Sequence, residues 1–285
     1  MWILLALVAA CGQALGWALK KKVLAAPELN FELGFVSYTI AATGFWGIWY
    51  FLSHENPIVT EDFLVASGFV VILNILATLC AYRALGDTAY SNLMAFIPMT
   101  NAVIVIFEWY LTGSLPNSIQ LWGIALIVTG GICFGFGKSY RDTNWFVIGL
   151  FSITLLCYAV ASTYMKVMQS ESNAPWFSAA VMHAGIAGGF LVLISATWDK
   201  RRAHFAPTTL PWMVVAGGII VLLENGPIFM ALTYASASEV FSIKRLMPIA
   251  ALVIGYFWFK ERPTKYALIG TGIMISGAVI ISGNP

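Results

Sequence analysis

The chain has 285 residues, a formal net charge of +2, 60% hydrophobic residues, only 10% charged ones and a mean hydropathy of +0.83. A soluble domain carries about a quarter charged residues, so a water-solvated enzyme or scaffold is excluded. With no basic tract, nucleic acid is excluded as a partner; the composition calls for a lipid bilayer.

Crossing a hydrocarbon core of about 30 Å takes about 20 helical residues. In chain order such spans are predicted at 2–19, 31–52, 62–85, 88–110, 117–136, 144–168, 175–198, 210–234, 238–259 and 265–282. The first ends on Lys20, Lys21 and Lys22. A signal peptide has its positive charge before the apolar stretch, so this span is read as a permanent helix and the lipoprotein-like Val8-Ala9-Ala10-Cys11 as its interior. Connections after odd-numbered spans hold Lys20, Lys21, Lys22, Arg83, Lys138, Arg141, Lys200, Arg201, Arg202, Lys260, Arg262 and Lys265, which is 12 of the 15 basic residues. The positive-inside rule makes these connections cytoplasmic and both termini extracytoplasmic, in a multi-pass protein of a cell membrane, bacterial-type inner.

Two halves of the chain repeat one pattern. Phe96-Ile-Pro-Met is matched by Leu246-Met-Pro-Ile, with Pro98 and Pro248 150 residues apart, while Gly123 and Gly270 open matching Gly-rich runs 147 apart, and upstream Ala84-Leu85 matches Ala231-Leu232, again 147 apart. The units are 1–143 and 144–285, five spans each. An odd number of crossings forces the second unit to enter the membrane in the opposite sense, an architecture recurrent among secondary transporters.

A Pro-containing fourth and ninth span followed by a Gly-rich fifth and tenth resembles the EamA-type repeat of the drug/metabolite transporter superfamily. The stretch from Pro248-Ile-Ala-Ala-Leu-Val-Ile-Gly-Tyr-Phe-Trp-Phe-Lys-Glu-Arg-Pro-Thr to Leu268-Ile-Gly-Thr-Gly-Ile-Met-Ile-Ser-Gly-Ala is close to that repeat's usual ending. The resemblance implies an all-α membrane protein of about ten helices in two inverted five-helix repeats. It leaves the substrate open among amino acids, sugars, nucleotide sugars, phosphorylated intermediates and amines.

Within the spans, Gly123, Gly130, Gly131, Gly135, Gly270, Gly272 and Gly277 are read as sites of close backbone packing. Pro98, Pro227 and Pro248 each remove a helix hydrogen bond in mid-span, marking kinks or hinges. Trp46, Trp49, Trp109, Trp145, Trp176, Trp198 and Trp212 near span ends are interfacial anchors. Cys11, Cys80, Cys133 and Cys157 are scattered without CxxC spacing, so neither disulfide nor metal is indicated, and no cofactor.

Adjacent cations inside a span are costly by several kcal/mol and need a partner or a role. Lys244 and Arg245, read as neighbours on one continuous helix and therefore about 100° apart, are assigned to substrate binding. Helical rise places Glu224 of the preceding antiparallel span at a similar depth, as counter-charge or proton carrier. Asn225, Asn74, Tyr158, Trp17 and Gln13 complete the substrate-binding set, and His183 is the second proton-coupling candidate. Asn92, Asn101 and Tyr164 are further deep polar residues. The Lys-Arg pair also resembles the organophosphate branch of the superfamily, which implies phosphate gripped by a guanidinium fork and an ammonium. The chain departs from that branch in having no basic residue over 88–107, and the repeat-equivalents of the pair are Met94 and Ala95.

No HExxH, GxSxG, P-loop or clustered His/Cys set is present, so no enzyme is indicated. The expected function is secondary transport of a small polar metabolite carrying a carboxylate or phosphate, by alternating access. The alternatives are an exporter of amino acids or of neutral or cationic compounds, with Lys244 and Arg245 neutralised by Glu224, and a lipid-head-group translocase.

Overall fold

The computed structural model describes residues 1–24, 30–53, 56–87, 97–113, 116–136, 145–197, 209–260, 262 and 264–282, and among them every regular element is helical. Asn92, Met94, Ala95, Lys138, Arg141, Trp198 and 200–202 lie outside the described residues. The elements are α1 (Trp2–Val23), α2 (Asn30–Ile48, continued by a wide π turn Trp49–Ser53), α3 (Glu61–Asp87), α4 (Thr100–Thr112, entered through a 3-10 turn Ile97–Met99) and α5 (Ser118–Phe136). Then follow α6 (Trp145–Ser172), α7 (Pro175–Thr197), α8a (Leu210–Ile219), a π segment (Ile220–Asn225), α8b (Gly226–Ala231), α9a (Ala237–Lys244), α9b (Met247–Trp258) and α10 (Lys265–Ser282).

Seven helices are long and apolar enough to cross a membrane, and three shorter apolar ones, Ile97–Leu111, Ser118–Cys133 and Lys265–Ile281, complete the ten expected segments. Large apolar side chains on almost every helix, among them Leu4, Phe51, Ile72, Trp122, Val192, Leu222, Phe257 and Val279, are mostly exposed. Surface of that kind is stable against lipid, not water.

Two expectations about element bounds need correction. The first span does not stop before its lysines: α1 runs to Val23, so Lys20, Lys21 and Lys22 are its last turn, where cations offset the helix dipole. The ninth span is not one continuous helix: α9a ends at Lys244, Arg245 is its C-cap, and α9b begins at Met247. The pair therefore straddles a break and does not follow helical spacing.

The packing falls into exchangeable pairs. α2 lies on α7 and α5 on α10, while α3·α6 has its counterpart in α8·α1, α4·α6 in α9·α1, and α3·α7 in α8·α2. Each contact maps onto another when the first five segments trade places with the last five. α5 and α10 are joined through glycine: a Cβ added at Gly123 would stand 2.8 Å from the Gly277 carbonyl, and one at Gly130 2.7 Å from the Gly270 carbonyl. Small residues let backbones approach this closely in lipid. Gly272, expected to pack, meets nothing within 4 Å.

Candidate functional site

The site is built on the interruptions of α8 and α9. Pro227 has no N–H to offer the carbonyl four residues back, that of Leu223, and its ring crowds that position. The turn ahead of it widens into the π segment, and Gly226 makes this possible because a Cβ there would run into the Val221 carbonyl. The freed Leu223 carbonyl lies against Gly12 of α1, where no side chain fits. The widened turn carries Glu224 and Asn225 inward. Pro248 acts likewise at the start of α9b, leaving the Lys244 carbonyl without its regular partner. Pro98 occupies the 3-10 turn before α4. All three prolines of the sequence reading thus stand at interruptions.

The far end of α9a is fixed by long-range capping. Ser236 and Glu239 form a reciprocal capping box, with the Ser236 hydroxyl accepting the Glu239 N–H and the Glu239 carboxylate accepting the Ser236 N–H. Gln120 of α5 donates to Glu239 at 2.6 Å, and the buried Glu108 carboxylate of α4 accepts the N–H groups of Ala237 and Ser238, both at 2.8 Å. Lys166 of α6 donates to the carbonyls of Leu232 and Ala235, closing the other arm of the same turn. Glu108 and Lys166 were given no role by sequence reasoning, because the partners lie about 70 to 130 positions away along the chain.

Between these helices lies a cavity of about 40 Å³, room for about three waters. Gln13, Trp17, Asn74, Tyr158, Glu224, Asn225, Lys244 and Arg245, all eight residues of the expected substrate set, line it. Asn101 and Tyr164 are absent from this lining; Tyr164 stacks on Phe69. His183 stands one layer behind, joined to Asn225.

The electrostatics are lopsided. Lys244 Nζ stands 3.7 Å from Glu224 Oε1, a charge pair too long to be a hydrogen bond. Both Lys244 and Arg245 approach the Phe241 ring, at 5.7 and 5.6 Å from its centroid. Lys20, assigned from sequence to a connection, is only 4% exposed and lines the same cavity, its ammonium 5.7 Å from the Tyr38 ring centroid and 6.0 Å from that of Tyr82. Among the described residues no carboxylate lies within ion-pair distance of Lys20. Its presence was detectable: Gln13, Trp17 and Lys20 follow i, i+4, i+7 spacing on one face of α1. Three cations therefore face one carboxylate. Three sealed polar atoms of the lining, Gln13 Oε1, Glu224 Oε2 and Arg245 Nε, also lack a protein partner, and each such atom costs about 1–3 kcal/mol until something bonds it.

Aromatic and uncharged polar groups fill out the lining beside these charges. Tyr158 meets Trp17 edge to face at 6.2 Å, and its hydroxyl continues through Thr78 to Tyr38, at 3.3 and 3.2 Å. Asn74, also in the lining, donates its amide nitrogen to the Val70 carbonyl at 2.8 Å. Among the described residues no group of three or more His, Cys, Asp or Glu could hold a metal ion.

The model of the EamA-like transporter family matches residues 145–283. Over that half the sequence is that of an EamA-like transporter, a family of the drug/metabolite transporter superfamily. One of 28 matching solved chains, a crystal structure described only as that of a protein, overlays this chain with a TM-score of 0.68 at 11% identity, covering 96% of this chain and 95% of that one; at such identity it speaks for the fold alone. No curated protein matches the sequence. That family is one of transporters, and the apolar helices make the protein a multi-pass membrane protein.

Proposed function

We propose that this EamA-like protein is a secondary transporter of the cell membrane that moves a small polar metabolite bearing a carboxylate or phosphate, held between Arg245, Lys244 and Lys20. The observation that carries the reading is the imbalance of the cavity wall, three buried cations to one carboxylate. Uncompensated positive charge in a low-dielectric interior is strongly unfavourable, and an anionic solute relieves it. The paired helix contacts support two inverted units, 1–143 and 144–285, that rock against each other about the proline interruptions to expose the cavity alternately. Both termini are assigned to the extracytoplasmic side on the distribution of Lys and Arg.

The Glu224 carboxylate supports a second reading, a zwitterion whose ammonium group replaces Lys244 beside Glu224 while its carboxylate sits at Arg245. Counterflow into proteoliposomes with phosphorylated, carboxylated, zwitterionic and amine solutes separates the two. Under the anion reading, Lys244→Ala, Arg245→Ala and Lys20→Gln each lower anion flux by about tenfold or more, the worth of one charge-assisted contact. Under the zwitterion reading, Glu224→Gln abolishes flux of the amino acid. Unchanged flux in all three cation variants would defeat the anion site.

A further inference from the structure

One cavity residue has its hydrogen-bonding sense set by a neighbour behind the wall. His183 of α7 is fully buried, with Phe45 4.8 Å and Tyr38 5.9 Å away between ring centroids. Its Nδ1 lies 2.6 Å from the Ala179 carbonyl, an oxygen that can only accept, so Nδ1 carries the proton. In a neutral ring Nε2 is then an acceptor. A neutral ring also keeps a fourth positive charge away from a wall that already holds three. The partner of Nε2 is the Asn225 side-chain nitrogen at 2.9 Å.

The valence of the pair fixes the rest. One N–H of the Asn225 amide goes to Nε2, so its nitrogen end faces α7 and its other end is the acceptor Oδ1, which finds no protein partner among the described residues, and Asn225 lines the cavity next to Glu224. Without His183 the amide could turn over and present either end. We propose that His183 is a positioning residue that holds Asn225 as a hydrogen-bond acceptor, and that the cavity consequently selects anionic solutes that also carry a hydroxyl or ammonium donor. The proposal rests on the reading of this cavity as the solute site and adds a second recognition element to it. Lys244, Arg245 and Lys20 read the charge, and Asn225 reads the donor.

The test pairs solutes that differ in hydroxyl groups, glycerate against propionate and glycerol phosphate against propyl phosphate, in proteoliposome counterflow. The parent protein prefers the hydroxylated member of each pair by about tenfold or more, since a site shaped to bond a hydroxyl rejects the analogue that lacks one. In His183→Phe, which keeps a ring among Phe45 and Tyr38, and in Asn225→Leu, the preference falls to within about twofold, and His183→Gln, whose amide oxygen can accept from Asn225, restores it. Nitrogen-15 shifts of the His183 ring report the Nδ1-protonated tautomer in the parent, whatever the variants do. Equal flux of both members in the parent, undiminished preference in His183→Phe, or an Nε2-protonated ring would overturn the proposal. Failure of the anion reading leaves a different mark: the preference for glycerate over uncharged erythritol vanishes while tautomer and hydroxyl preference persist.

Discussion

Two helix pairs in this molecule follow opposite plans. α5 and α10 run without interruption and touch through glycine backbones, carrying no charge beyond Lys265 at one end. α8 and α9 are broken near the middle and bear Glu224, Lys244 and Arg245 at the breaks. An unbroken helix satisfies its own backbone and has only packing to offer in lipid, whereas an interruption frees carbonyls and turns polar side chains towards an interior that must then hold something. One pair is scaffold and the other carries the proposed site.

The contrast is broken most severely at the site. Lys244→Ala with Arg245→Ala lowers anion counterflow by about a hundredfold, the loss of two charge-assisted contacts, with a detergent melting temperature close to the parent's; joint collapse of fold and flux would erase the distinction. Gly130→Leu does the reverse. It forces side-chain atoms into the Gly270 carbonyl and Met274, destabilising by about 1–3 kcal/mol or more, seen as lower folded yield by fluorescence size exclusion, while the protein that folds retains its solute preference.

Two smaller substitutions sharpen the comparison within the site. Glu224→Gln leaves Lys244 without its carboxylate, so KM for an anionic solute falls by about threefold to tenfold, the worth of a weak charge pair, and release slows; a rise in KM would argue that Glu224 binds solute directly. Glu108→Gln removes a charged cap from α9a and costs about 1 kcal/mol, a small drop in melting temperature with KM unchanged.

Much of the scaffold was legible from sequence. Spans 31–52, 175–198 and 265–282 could be drawn nearly to their observed ends, because an apolar run of that length has few alternatives in a membrane. The coincidence of Glu224 and Lys244 in depth followed from helical rise alone. What escaped depends on exceptions to that rise. The stop at Arg245 reads like helix, since Lys and Arg are good helix formers and the cause, Pro248, lies three residues on. The π turn at Glu224 needs Gly226 and Pro227 read as one device. Three lysines at a span's end look like a cytoplasmic flank, and only burial distinguishes Lys20 from its neighbours. The His183–Asn225 bond joins positions 42 apart, and nothing local announces it.

The turn between α8b and α9a is held by Lys166 on one arm and by Glu108 and Gln120 on the other. Under the rocking proposed above, these bonds hold the tip of the hairpin while its arms flex at their proline interruptions, so displacement would grow along both arms past Glu224 and Arg245 to the opposite face of the membrane, with the pinned turn as a bearing and the Lys20 side as the door.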